Sequence, residues 1–291
     1  MKYLYIGCCF FMSINLFSQQ ELLFTNDRYN ILTFNPAISG IFDDNTYAKA
    51  NVSYRNQWQG FDGAPLTING GFEYLIEDKN IGLGFTIYND QIGIDSKFEI
   101  AGNYAYHMKT RDGKLSGGIR TALTQFYSDF DAIVNVEAGD IYDDANQSFS
   151  VFSVGIGVIY AEENLQFGIA VPNLAAFSKQ ASFKDFKERH LHLNASFKLG
   201  DYTDDFRLEP TMLFKYQPSV PIQVKIGVLF HLGNTITPGI HFRTDDALAF
   251  SLGLKLQEQI DIGLAYDLTL SKIRQVSNNT LELFLGYRFY K

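Results

Sequence analysis

The stretch TLELFLGYRFY, Thr280 to Tyr290, decides how the rest of the chain is read. Leu281, Leu283, Leu285, Tyr287 and Phe289 fall on alternate positions, with Thr280, Glu282, Gly286 and Arg288 between them. A helix would gather every third or fourth residue on one face. A period of two belongs to a β-strand, whose successive side chains point to opposite faces. Such a strand, apolar on one face and carrying Glu and Arg on the other, suits a boundary between lipid and a polar interior.

The same pattern recurs upstream. Ile260, Ile262, Leu264, Tyr266, Leu268 and Leu270 alternate with Asp261, Gly263, Asp267 and Thr269. Ile222, Val224, Ile226, Val228, Phe230 and Leu232 alternate with Gln223, Lys225, Gly227 and His231. Leu191, Leu193, Ala195, Phe197 and Leu199 alternate with His190, His192, Asn194, Ser196 and Lys198. From Asn45 onward there are about fourteen such segments, most near the roughly 9 to 11 residues that a tilted strand needs to cross a bilayer. The expected fold is all-β: a single transmembrane antiparallel β-barrel of about 14 strands, the even count suiting bacterial barrels.

The connections alternate in length. Short turns fall at Glu77 to Asn80, Arg111 to Gly113, Glu162 to Asn164, Gly233-Asn234 and Gln257-Glu258, whereas Tyr127 to Ser148 and Asn173 to Glu188 run long and off-pattern. Thr244 to Asp246 and Gln217 to Val220 are short where long loops are allowed. Outer-membrane barrels keep short turns in the periplasm and longer loops outside, which places both mature termini in the periplasm. A soluble β-sandwich has no reason to sort its loops by end. Glycines such as Gly82, Gly84, Gly117, Gly118, Gly155 and Gly157 fall mostly on the polar face, where they let strands bend and let something approach the inner wall closely.

Ahead of the periodic region, residues 1–18 carry Lys2, an apolar core from Tyr3 to Phe17 and a small residue at Ser18, the layout of a secretory signal peptide. Both cysteines, Cys8 and Cys9, lie inside it, so the mature chain would contain no thiol chemistry. Residues 19–44 then form an N-terminal periplasmic or lumenal segment, and residues 45–291 the barrel. The formal net charge of −8, with acidic clusters at Asp43-Asp44, Asp140 to Asp144, Asp204-Asp205 and Asp245-Asp246, argues against nucleic acid as a partner and for solvated loops. Asp140, Asp143 and Asp144 lack the spacing and the glycine of a calcium loop.

No catalytic constellation stands out. His190, His192, His231 and His241 face inward, but none has a Ser or Asp at triad-like spacing, and His190 with His192 lacks a nameable third metal ligand. They are expected in a polar lumen network with Lys198, Lys225, Glu209, Arg207 and Asp261. The glycine repeats sit inside strands, not at strand-to-helix turns, so no phosphate loop or dinucleotide fingerprint is present. No cofactor is expected.

Against this plain alternation, NPAISG (Asn35 to Gly40) and YRNQWQGFDGAP (Tyr54 to Pro65) are unusually dense in Asn, Arg, Gln, Trp, Gly and Pro. Asn35-Pro36-Ala37 with Gly40, Tyr54-Arg55-Asn56-Gln57-Trp58, and Gly63-Ala64-Pro65 with Thr67 resemble the N-terminal signature of the PorP/SprF family of Bacteroidota outer-membrane proteins. Gly82-Leu83-Gly84, Asn89-Asp90 with Gly93, and Tyr104-Ala105-Tyr106 extend the likeness. Ile38-Ser39 departs from the commoner tyrosine-alanine filling of the first motif. The resemblance implies a type IX secretion system component, without catalytic residues, that associates with the secretion or gliding machinery. Its implied partners are a secreted protein with a C-terminal sorting domain, other type IX components, and outer-membrane lipid. A porin-like channel for small solutes is the alternative.

The candidate latch or partner-contact residues are Asn35, Pro36, Arg55, Asn56, Gln57, Trp58 and Pro65. Parity turns Ala48, Ala50, Val52 and Tyr54 to lipid and Arg55 to the lumen with Ser53 and Asn51, and gives Trp58 a place in an aromatic girdle. A guanidinium in a narrow lumen needs a planar acceptor, so Arg55 is expected to pin the first outer loop or the NPAISG segment. Aromatics in the long loops, Phe126-Tyr127, Phe130, Ile141-Tyr142, Phe177, Phe183 and Phe186, suit a protein-holding surface.

Overall fold

The computed structural model describes residues 22–42, 45–60, 62–130, 147–179, 189–200, 205–218 and 220–291. Fourteen strands follow in order: β1 Thr46–Asn56, β2 Leu66–Ile76, β3 Ile81–Ile92, β4 Asp95–Lys109, β5 Gly113–Ser128, β6 Gln147–Glu162 and β7 Leu165–Phe177. The second half comprises β8 Leu191–Phe197, β9 Phe206–Tyr216, β10 Gln223–Leu232, β11 Ile236–Arg243, β12 Ala247–Leu256, β13 Ile260–Thr269 and β14 Thr280–Tyr290. Each pairs antiparallel with its sequence neighbours, and β1 pairs with β14 to close the barrel. Closure leaves no edge, so the ladder satisfies backbone groups where lipid offers no hydrogen bonds.

The expected alternation holds. On β14 Leu283, Leu285 and Tyr287 are exposed toward the lipid side, while Glu282 is 0% exposed in the lumen. Lys225, Asp261 and Arg120 are likewise buried inside. Tyr74, Tyr104, Tyr106, Phe167, Phe197, Phe206 and Tyr287 are exposed near the short-turn end, as an interfacial aromatic belt requires. The five short turns occur where sequence puts them. One further short connection, Gly93-Ile94 between β3 and β4, adds to the exceptions at the long-loop end. Phe284 breaks the pattern: it is an apolar residue on the lumen face, 3% exposed, because the ring of Tyr29 stacks on it at 4.0 Å.

That contact introduces the segment ahead of β1, expected to be periplasmic or lumenal. Residues 22–42 lie inside the lumen, as helix α1 (Asp27–Asn30) followed by 3-10 turns at Ile31–Thr33 and Pro36–Ile38. Leu22, Phe24 and Phe34 are buried there with Tyr88 of the wall in a small apolar core. The segment runs the length of the barrel. The Leu22 carbonyl accepts from Lys215, one residue before the long-loop end of β9, whereas Ser39 lies against Gly82 at the short-turn start of β3. Lys291 pairs with Glu77 in the first short turn. The C-terminus lies at the short-turn end, but the segment before β1 doubles back through the lumen and carries Leu22 to the opposite end.

The signal-peptide residues 1–18, Asp43-Asp44, the Asp140 to Asp144 group, Asp204, and the loop aromatics Ile141-Tyr142, Phe183 and Phe186 lie outside the described residues.

Candidate functional site

Two clusters of contacts on the lumen segment involve the sequence candidates. At the short-turn half, NPAISG builds its own shape first. The Asn35 side chain accepts from the Ala37 N–H at 3.0 Å, capping the turn that Pro36 begins, and the Ser39 hydroxyl donates to the Pro36 carbonyl at 2.9 Å. Gly40 ends the turn at φ +76°, a left-handed conformation that favours glycine. The turn then docks. Asn35 donates through Nδ2 to the Val158 carbonyl at 3.2 Å, Ser116 donates to the Ala37 carbonyl at 2.7 Å, and the Gly40 N–H donates to Glu73 at 3.3 Å.

Glycines make the socket. A Cβ added at Gly82 would lie 1.7 Å from the Ser39 carbonyl oxygen, and one at Gly118 would lie 2.5 Å from the Ala37 nitrogen. Backbone-to-backbone approach of this kind leaves no room for any side chain. The polar-face glycines thus admit the chain's own N-terminal segment to the wall.

At the long-loop half the grip is electrostatic. Arg55, 1% exposed, donates to Glu282 (2.9 Å), to Asp267 (2.9 Å) and to the Thr25 hydroxyl (3.1 Å). Glu282 also accepts the backbone N–H groups of Thr25 (2.7 Å) and Asn26 (2.9 Å). Asp267 accepts from the Thr25 hydroxyl at 2.6 Å and from Arg243 at 2.7 Å. Lys225 donates to the Thr25 carbonyl at 2.8 Å and pairs with Asp27 at 2.6 Å. Arg55 and Glu282 stand opposite each other across the β1–β14 seam, so one network ties the first strand, the last strand and the segment inside.

The sequence candidates therefore divide. Arg55 meets Thr25, not NPAISG, which sits in the other half of the lumen. Asn35 and Pro36 belong to the glycine socket. Asn56 ends β1, and the Gln57 N–H donates to the Pro65 carbonyl at 2.9 Å, closing the first long-loop connection. Trp58 does not continue the strand: its φ of +53° turns the chain, its backbone N–H donates to the Thr280 hydroxyl, and the residue is half-buried. Strand parity ends at Asn56 and cannot assign Trp58 to a girdle.

Sequence reading missed Thr25, Arg243, Asp267 and Glu282 as one site; strand parity was available for the last three and nothing for Thr25. The expected polar network exists in part. His231 pairs with Glu209 at 2.7 Å and Asp261 with Arg288 at 2.7 Å, but Lys198 reaches the Glu163 carbonyl in the β6–β7 turn. His192 stacks on Phe34 of the segment at 5.1 Å, and His241 contacts Ser251 at 2.9 Å. Among the described residues no group of three or more His, Cys, Asp or Glu is arranged to hold a metal.

A family model described as type IX secretion system membrane protein PorP/SprF matches residues 16–287. The chain belongs to the PorP/SprF family. This is a family of type IX secretion membrane proteins and not an enzyme family, and it sets the barrel in the outer membrane. Among curated proteins, none matches this PorP/SprF sequence. Its fold is similar to that of solved outer-membrane proteins. Omp33 of Acinetobacter baumannii matches with TM-score 0.51 and 5% identity, over 84% of this chain and 98% of that one. A deletion mutant of the monoaromatic hydrocarbon channel TodX matches with TM-score 0.54 and 10% identity, over 89% and 94%. The monoaromatic hydrocarbon channel CymD matches with TM-score 0.52 and 10% identity, over 89% and 92%. At these identities the likeness concerns the fold alone.

Proposed function

We propose that this PorP/SprF protein is a closed outer-membrane barrel that receives or anchors a protein partner in type IX secretion. The partner is a secreted protein with a C-terminal sorting domain or another component of the secretion or gliding machinery. The observation that carries this reading is the occupant of the lumen: residues 22–42 fill the bore and are fastened at both halves by buried hydrogen bonds. A bore filled by the chain itself does not serve solute diffusion, which leaves the exposed surfaces for function.

In this reading the long-loop end faces the cell exterior, following the sorting of short turns to the periplasm. Arg55 is the latch that holds the Thr25 end of the segment, and Asn35 with Pro36 anchors the other end. Asn56, Gln57, Trp58 and Pro65 shape the first outer connection as a preorganised partner contact. Deleting the gene should leave one or a few surface proteins unsecreted or unanchored while small-nutrient uptake stays normal. Normal surface proteins together with impaired uptake of small solutes would overturn the proposal in favour of a channel.

A further inference from the structure

A cavity of about 150 Å³ opens between the lumen segment and the short-turn end of the wall. Leu32, Ile38 and Ile41 of the segment give it apolar lining. Three cations, Arg28 of the segment with Lys49 and Arg288 of the wall, line it beside one carboxylate among the described residues, Glu73. Arg288 is committed to Asp261, donating through Nε at 2.7 Å and Nη2 at 3.2 Å. Glu73 already accepts the Gly40 N–H. Arg28 and Lys49 lie 4.4 Å and 5.9 Å from the centre of one ring, that of Tyr29, and Arg28 donates to the Tyr29 hydroxyl. Among the described residues neither has a carboxylate within ion-pair distance.

Charges withdrawn from bulk water are normally paired, because desolvation without a counter-charge is costly. Arg28 and Lys49 face Glu73 as the one carboxylate among the described lining residues, so the lining keeps an excess of positive charge that an entering anion would offset. A guanidinium fork beside an ammonium matches a carboxylate, and the apolar lining suits the carbon chain that bears it. Thr46 and Gln166, at the short-turn starts of β1 and β7, are part of the lining, so the cavity lies toward that end.

We propose that this cavity binds a peptide carboxylate, with Arg28 and Lys49 as its counter-ions and the Leu32, Ile38 and Ile41 wall against the adjoining carbons. The site is separate from the long-loop surface assigned to the secretion partner, so either can fail without the other. Purified full-length protein in detergent would be titrated by NMR or calorimetry with four probes: N-acetyl-Ala-Ala, N-acetyl-Glu-Ala-amide, N-acetyl-Ala-Ala-amide and inorganic phosphate. Saturable binding of the first marks a chain terminus as the source, and of the second an acidic side chain. The uncharged amide should bind at least about tenfold more weakly than the carboxylate peptide. Lys49→Met should cost a similar factor while heat-modifiability on gels stays that of the parent, and Lys49→Arg should restore binding. Equal binding of the amide, unchanged binding in Lys49→Met, no saturable binding by either carboxylate peptide, or phosphate binding as tightly as the peptides would each overturn the proposal.

Discussion

Arg55→Met removes a guanidinium and keeps most of the side chain's length and apolar volume. Three hydrogen bonds disappear, to Glu282, Asp267 and Thr25, and two buried carboxylates lose a shared cation. Deleting one partner of a buried ion pair costs about 3–5 kcal/mol. Asp267 keeps Arg243 and the Thr25 hydroxyl, and Glu282 keeps two backbone N–H groups, so the low end applies, about 3 kcal/mol. With a urea slope of about 3 kcal/mol per molar, that is a midpoint shift of about 1 M. Urea unfolding of the refolded barrel can be followed by the fluorescence of the single tryptophan, Trp58, whose backbone N–H donates to the hydroxyl of Thr280 on β14, the strand of Glu282. Because the loss is a stranded charge, Glu282→Gln in the Arg55→Met background should restore part of the stability. The coupling between the two positions should be about 2 kcal/mol. An Arg55→Met midpoint indistinguishable from the parent, or strict additivity in the double variant, would refute the latch.

The glycine socket makes a graded prediction. Gly82→Ala and Gly118→Ala should each destabilise by about 1–3 kcal/mol or more through overpacking, while Gly117→Ala, whose Cβ meets nothing within 4 Å, should stay within about 0.5 kcal/mol in the same urea assay. Topology is checked by labelling intact cells with a membrane-impermeant thiol reagent: Lys179→Cys should react and Asp112→Cys should not, and the reverse pattern would invert the barrel.

What the sequence disclosed was whatever repeats locally. Residues such as Leu283 and Leu285 announce a lipid face within five positions, and the turns between strands announce their own lengths, so strand number and closure followed. The lumen obeys a weaker rule. Its side chains only have to satisfy one another, and the partners of Arg55 are 212 and 227 residues away, at separations no local pattern encodes. The glycines signalled that something approaches the wall, but what approaches was hidden, because residues 22–42 have no period of two and their path follows from contacts with nearly every strand. Phe284 was misfit for the same reason: its face is set by Tyr29, a contact invisible from β14 alone. Trp58 was assigned by extending parity past Asn56, where a left-handed residue ends it.

Planar-bilayer recording of the purified full-length protein tests most directly whether the chain's own N-terminal segment blocks the bore. The expected result is insertion without steady conductance steps, since residues 22–42 occupy the bore along its length. A large, steady open-channel conductance from the intact parent would contradict it.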